Sequence, residues 1–213
     1  MASFPIRDQK NDHLLTPENS ALVIIDFQPV QVNSINSMDR QLLVNNIVGT
    51  AKMAKLYNLP IVLTTVNVST GLNEDTIGQL REVLDGVTSI DRTSINAWED
   101  KEFVAAVKAT GRKKLIMAAL WTEVCLAFPA LDALKEGFEV YPVVDAVGGV
   151  TKVAHDAGLR RIEQAGAIPV TTPMLFCEMQ RDWNRSETAA GFMNLFIETG
   201  GTAGLSFYSH LHK

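Results

Sequence analysis

Apolar residues along this chain come in two rhythms. Short, mostly apolar runs occur at 21–26 (ALVIID), 59–66 (LPIVLTTV), 115–120 (LIMAAL) and 138–144 (FEVYPVV). Runs of that length, bounded by Pro, Gly or an acid, fit strands buried on both faces. Between them, apolar residues recur every three or four positions, which fits amphipathic helices. One such stretch is 38–57, with Leu42, Leu43, Ile47, Met53, Ala54 and Leu56; others are 77–84 and 155–165. A further one, 98–108, puts Trp98, Phe103, Val104 and Val107 on one side and stops before Gly111. A short strand is expected at 88–91 and a last one at 167–172 (AIPVTT), with helices at 176–183 and 188–197.

Strands alternating with helices predict an α/β three-layer sandwich, a mostly parallel sheet of about six strands flanked by helices. The expected organisation is one domain over 1–213, with a loose or partner-docked tail from about 200 to 213. In such sheets, sites lie beyond the C-terminal strand ends. That rule selects Asp26 after ALVII, Cys125 after LIMAAL and Asp145 after VYPVV.

Composition narrows the partners. The 213 residues are 46% hydrophobic and 20% charged, with a formal net charge of −5 and no Lys/Arg-rich run. No nucleic-acid partner and no membrane partner is therefore expected. The first residues lack the apolar core of a signal peptide, and no stretch of about 18 uncharged apolar residues would span a bilayer. A cytoplasmic protein acting on a small molecule is the expectation, with Cys125 and Cys177 as free thiols. Their spacing fits no zinc motif. The histidines, His13, His155, His210 and His212, share no ligand spacing, although His210 and His212 are placed to form a weak surface pair.

Cys125 carries the candidate chemistry. A thiolate is favoured at a helix N-terminus, and the stretch 115–134 reads as a strand, a bend and a helix beginning near Thr122. Thr122 suits an N-cap and Glu123 the positive end of the helix. Pro129 has no N–H for the carbonyl of Cys125, which places the helix start close to the cysteine. Asp26 can accept the thiol proton if the first and fourth strands are neighbours, and backbone N–H groups at the bend can receive an oxyanion. The alternatives are a small core cysteine and an acid that caps a turn.

Three segments, ALVIIDFQ, SINAWED and LIMAALWTEVCLAFPALDAL, resemble the isochorismatase-like superfamily of cysteine hydrolases, and within it the YcaC-like branch. The resemblance runs over roughly 20–182. It implies a parallel sheet with flanking helices and a homo-oligomer, an octamer in this branch. It makes Cys125 the nucleophile and Asp26 the proton acceptor, with a cis peptide between Leu120 and Trp121. The N–H groups of Trp121 and Cys125 then form the oxyanion hole. Where the family usually has a lysine, this chain offers Arg92, which can hold Asp26 ionised and lower the thiol pKa but cannot shuttle a proton. Arg92 in a surface salt bridge is the alternative.

Nicotinamidase relatives hold a divalent ion through an Asp and histidines after the second strand, whereas here TTVNVSTGLNED contains no histidine. No catalytic metal and no cofactor are expected. Phe27, Trp98, Trp121 and Phe128 are candidates to line a small apolar pocket, with core positions as the alternative. Gln28 is a candidate contact to a substrate amide or a turn former, and Glu123 orients Arg92 or caps the helix. Asp145 is expected to support a turn, and Cys177 to be a core thiol. The leading reading is hydrolysis of a small molecule at an amide or ureide C–N bond through an acyl-enzyme on Cys125. Vinyl-ether hydrolysis is the alternative within enzymes, and a thiol redox sensor or non-catalytic oligomeric protein the alternative outside them.

Overall fold

The computed structural model of the chain describes residues 7–199 and 201–211; His212 lies outside them. Its elements are β1 (Ser20–Ile25), α1 (Pro29–Asn33), α2 (Arg40–Leu56), β2 (Ile61–Val66), α3 (Gly78–Val83), β3 (Ser89–Arg92), a 3₁₀ turn (Ala97–Glu99) and α4 (Lys101–Ala109). They continue with β4 (Lys114–Ala119), one wide π turn (Thr122–Leu126), α5 (Ala127–Lys135), β5 (Glu139–Pro142), α6 (Lys152–Gln164), α7 (Thr172–Gln180), α8 (Ser186–Thr199) and α9 (Gly201–Leu211).

The strands form a parallel sheet in the order β3-β2-β1-β4-β5. Every residue of β1 and β4 is buried, as continuous apolar runs require when helices cover both faces. The chain winds outward from β1 through β2 to β3, then crosses back to lay β4 on the other side of β1. That reversal opens a crevice between the C-terminal ends of β1 and β4, the place where doubly wound sheets bind ligands. Ile25 pairs with Ala119 at this end, so whatever follows each strand emerges side by side.

The helix boundaries follow local capping. Asp39 accepts from the N–H of Leu42, Asp100 from Phe103 and Thr151 from Ala154, fixing the starts of α2, α4 and α6. Because Asp100 caps α4, the stretch expected as one helix over 98–108 is instead a 3₁₀ turn followed by a helix.

Three expectations are corrected. The sheet has five strands among the described residues, not about six. Segment 167–172 reaches the β5 edge through the Ile168 N–H on Val140, the Val170 N–H on Pro142 and an isolated bridge between Val143 and Val170. A longer parallel ladder would need residue 142 to donate to Ile168, and Pro142 has no N–H. Within the segment expected to be loose or partner-docked, Gly201–Leu211 is helical rather than loose, and Phe207 of α9 packs on Phe196 and Trp183. Cys177 is exposed on α7 rather than in the core, and both cysteines are free.

Candidate active site

Asp26 follows β1 in a left-handed backbone conformation (φ 61°), its N–H donating to Thr64, and is wholly buried. Burying a carboxylate is costly without a partner. Arg92, the last residue of β3, supplies one by reaching across the end of β2. Its Nη1 donates to Asp26 Oδ1 and its Nη2 to Oδ2, both at 2.7 Å. Nη1 also donates to the Thr65 carbonyl at 2.9 Å and Nη2 to the Ile95 carbonyl at 3.4 Å. The fork matches the carboxylate geometry, which a lysine cannot do. Both side chains are fully shielded from solvent, so the surface-bridge alternative for Arg92 does not hold. Burial works against the guanidinium charge, but the Asp26 pair outweighs it and keeps the Arg92 pKa above its ordinary value.

Cys125 arrives from the neighbouring strand. Leu120 donates its N–H to Ile25, the Leu120–Trp121 peptide is cis, and the Thr122 N–H donates to Gly148. The chain then makes the π turn, in which the Trp121 carbonyl accepts from both Val124 and Leu126 at 3.1 Å. Regular α-helix starts only at Ala127, which leaves Pro129 in the first turn, where a missing N–H is tolerated.

The thiol is 6% exposed, and its pKa is pushed up from 9.0 to about 12. Burial is the largest cause, followed by the charge of Asp26 and its hydrogen-bonding to the thiol. The Trp121 backbone and the Arg92 charge pull the other way and lose. This overturns the expected depression: the helix start and Arg92 are both present, but Arg92 is neutralised by Asp26, and desolvation dominates. The resting group is a thiol facing a carboxylate.

The remaining candidates scatter. Phe27 is fully buried. Gln28 is also buried, and its amide is spent on backbone: it donates to Val66 and Glu74 and accepts from the Val66 N–H. It clasps the loop over 67–76, which corrects the substrate-amide contact to a loop-holding role. Trp98 packs edge-on to Phe103 and Phe138 and donates to Glu136, just past the far end of α5 from Cys125. It belongs to the hydrophobic core. Phe128 is half-buried with the Arg161 guanidinium 5.8 Å from its ring centre, turned toward α6. Glu123 neither orients Arg92 nor caps; its Oε1 accepts from the Val150 N–H at 3.0 Å. Asp145 accepts from the N–H and hydroxyl of Thr172, tying the start of α7 to the end of β5.

Sequence reasoning missed the support beneath the cysteine. Thr122 Oγ1 shares a 2.9 Å hydrogen bond with His155 Nδ1, and the Trp121 indole donates to Ser34 at 2.6 Å. Gly158 of α6 lies directly against the π turn: a Cβ there would sit 2.9 Å from Glu123 Cα and 3.1 Å from the Thr122 carbonyl. The only signal for this in the sequence was a glycine in a helical pattern. Gly158→Ala would gain about 1 kcal/mol of helix propensity. Forcing backbone apart costs about 1–3 kcal/mol, so a net loss of up to about 2 kcal/mol is expected in urea unfolding. A stabilised variant would show that the turn can move.

Among the described residues, no group of three or more His, Cys, Asp or Glu side chains is placed to share a metal ion. Asp91, beside the histidine-free loop, accepts from the N–H groups of Val68 and Ser69, so its oxygens are committed to the backbone.

The isochorismatase domain family model matches residues 20–174. The chain is 38% identical to the probable hydrolase YcaC of Escherichia coli (strain K12) over 179 residues, 84% of this chain and 82% of that protein. The structure of YcaC from Pseudomonas aeruginosa with hexane-2,5-diol and covalent acrylamide superposes with a TM-score of 0.87 at 33% identity, covering 99% and 100% of the two chains. The Escherichia coli YcaC structure, described as an octameric hydrolase of unknown specificity, also gives 0.87, at 35% identity over 94% and 98%.

Proposed function

This chain belongs to the isochorismatase family of hydrolases, and from that premise we propose that it hydrolyses a small molecule at an amide or ureide C–N bond through an acyl-enzyme on Cys125. The observation that carries the reading is the placement of the Cys125 thiol beside the Asp26 carboxylate at the β1–β4 crevice, where the two strand ends emerge side by side.

The raised thiol pKa sets the order of events. As Sγ attacks the carbonyl carbon, its proton passes to Asp26, and the carbonyl electrons move onto oxygen. The Trp121 N–H donates to that oxyanion, joined by the N–H of Cys125. Collapse expels the amine, which takes the proton from Asp26. Water then attacks the thioester, Asp26 removes its proton, and the departing sulfur recovers it, releasing the acid. Arg92 keeps the carboxylate in place throughout and carries no proton.

A thiol with a raised pKa is a poor peroxide sensor, which argues against the redox alternative. No described helix is long and apolar enough to cross a membrane. The two free thiols fit a reducing cytoplasmic setting, and the octameric state described for YcaC from Escherichia coli suggests a homo-oligomer here. Light scattering should then give a multiple of the chain mass.

The deciding experiment incubates the protein with small amides and ureides, then measures intact mass and product. A mass adduct on Cys125 and turnover lost in both Cys125→Ala and Asp26→Asn are expected. Full turnover in Cys125→Ala refutes covalent catalysis. Loss in Asp26→Asn with retention in Cys125→Ser points instead to vinyl-ether cleavage.

A further inference from the structure

From the way the charges at the crevice are spent, we infer that this site selects an uncharged substrate and rejects carboxylate-bearing ones. The inference rests on the reading of Cys125 as the reacting group. Asp26 and Arg92 both act on the thiol. They cancel one another: the guanidinium gives both terminal nitrogens to the two carboxylate oxygens at 2.7 Å, and its further bonds go to the carbonyls of Thr65 and Ile95 and the hydroxyl of Thr64. A substrate anion would need a cation with N–H groups to offer, and Arg92 presents none from those nitrogens. Its Nε is buried without a partner, a single donor on a charge already neutralised.

The rim points the same way. Asn73 donates to Gln31, and Gln28 to the Glu74 carbonyl, which places the loop over 67–76 beside α1 at the C-terminal end of β1 and β2. Around that end the chain exposes Val30, Leu72 and Ile95. The charged groups on the loop are Glu74 and Asp75, and the cation paired with Asp75 is Arg81. An approaching anion meets an apolar edge and carboxylates, then a guanidinium already paired with Asp26. A neutral amide loses only its hydration and recovers hydrogen bonds from the turn at Trp121. Desolvating a carboxylate without an available partner is far more costly.

The test uses the two thiols of the same protein. Iodoacetamide and iodoacetate differ chiefly in charge, and Cys177 on the surface serves as the internal reference. Rates at each cysteine are read by peptide mass spectrometry. The iodoacetamide-to-iodoacetate rate ratio at Cys125 should exceed that at Cys177 by at least about tenfold, the effect of a single uncompensated charge contact. In Asp26→Asn, which frees the Arg92 guanidinium, the excess should shrink or reverse. A wild-type ratio at Cys125 equal to or below that at Cys177 overturns the inference. That measurement needs no turnover, so it is independent of the outcome for Cys125→Ala.

Discussion

Arg92→Met should cost about 3–5 kcal/mol in urea unfolding, because it leaves the Asp26 carboxylate buried with its main partner gone. The expectation follows from full burial on both sides and the two 2.7 Å contacts. An exposed pair of the same residue types would contribute only about 0–1 kcal/mol. The partner variant Asp26→Leu should be comparably damaging, since it strands the guanidinium. The double variant should recover much of the loss, because replacing a buried pair with apolar groups of similar volume is often close to neutral. The coupling in that cycle is the measurable quantity, and the two sites are in contact, so simple additivity should fail. A single-variant loss under about 1 kcal/mol would mean that water reaches the pair. Turnover should be absent from the double variant however well it folds, which separates the contribution of the pair to stability from its contribution to chemistry.

The parts of this architecture that could be read from sequence are those decided locally. Residues 21–26 and 115–120 had to be central strands because nothing polar interrupts them, and β1 and β4 are buried along their whole length. Alternation with amphipathic stretches then placed Asp26 and Cys125 at strand ends, and the order β3-β2-β1-β4-β5 brings those ends together. What escaped depends on contacts distant in sequence. The fork between Arg92 and Asp26 exists only because β2 lies between their strands. Pro142 looked like an ordinary strand residue until its missing N–H fell where Ile168 would have paired. Trp98 had the right period for a helix face but no mark of which end of α5 it would meet. Glu123 has the position of a helix-start residue, while its carboxylate is taken by the backbone of Val150. The sign of the thiol shift is hidden for the same reason: burial depth cannot be read from a heptad of neighbours.

Alkylation of Cys125 should climb about tenfold per pH unit from neutrality toward about 12, the slope of a thiol whose reactive form is still a minor species. The effect is large: at pH 7 a group titrating near 12 is ionised to about one part in 10⁵. Asp26→Asn removes the nearby charge and leaves only a neutral, weaker acceptor for the thiol, while burial remains. The thiol pKa should therefore fall, and alkylation at pH 8 should rise by about tenfold or more. Turnover in the same variant should collapse, because the proton acceptor is gone. A faster nucleophile in a slower enzyme is the signature of Asp26 as base, and neither a structural carboxylate nor a thiolate sensor would produce it. Stability carries a matching sign. The folded thiol holds its proton more tightly than an unfolded one, so its contribution is present below 9.0 and is lost as pH rises from there through about 12. Unfolding free energy in wild type should decline across that window more steeply than in Cys125→Ala. An alkylation profile that levels off below pH 9, or a slower rate in Asp26→Asn, would show that the carboxylate does not govern the thiol. The raised pKa is then part of the mechanism: proton transfer to Asp26 waits until a carbonyl is close enough for the sulfur to bond to it.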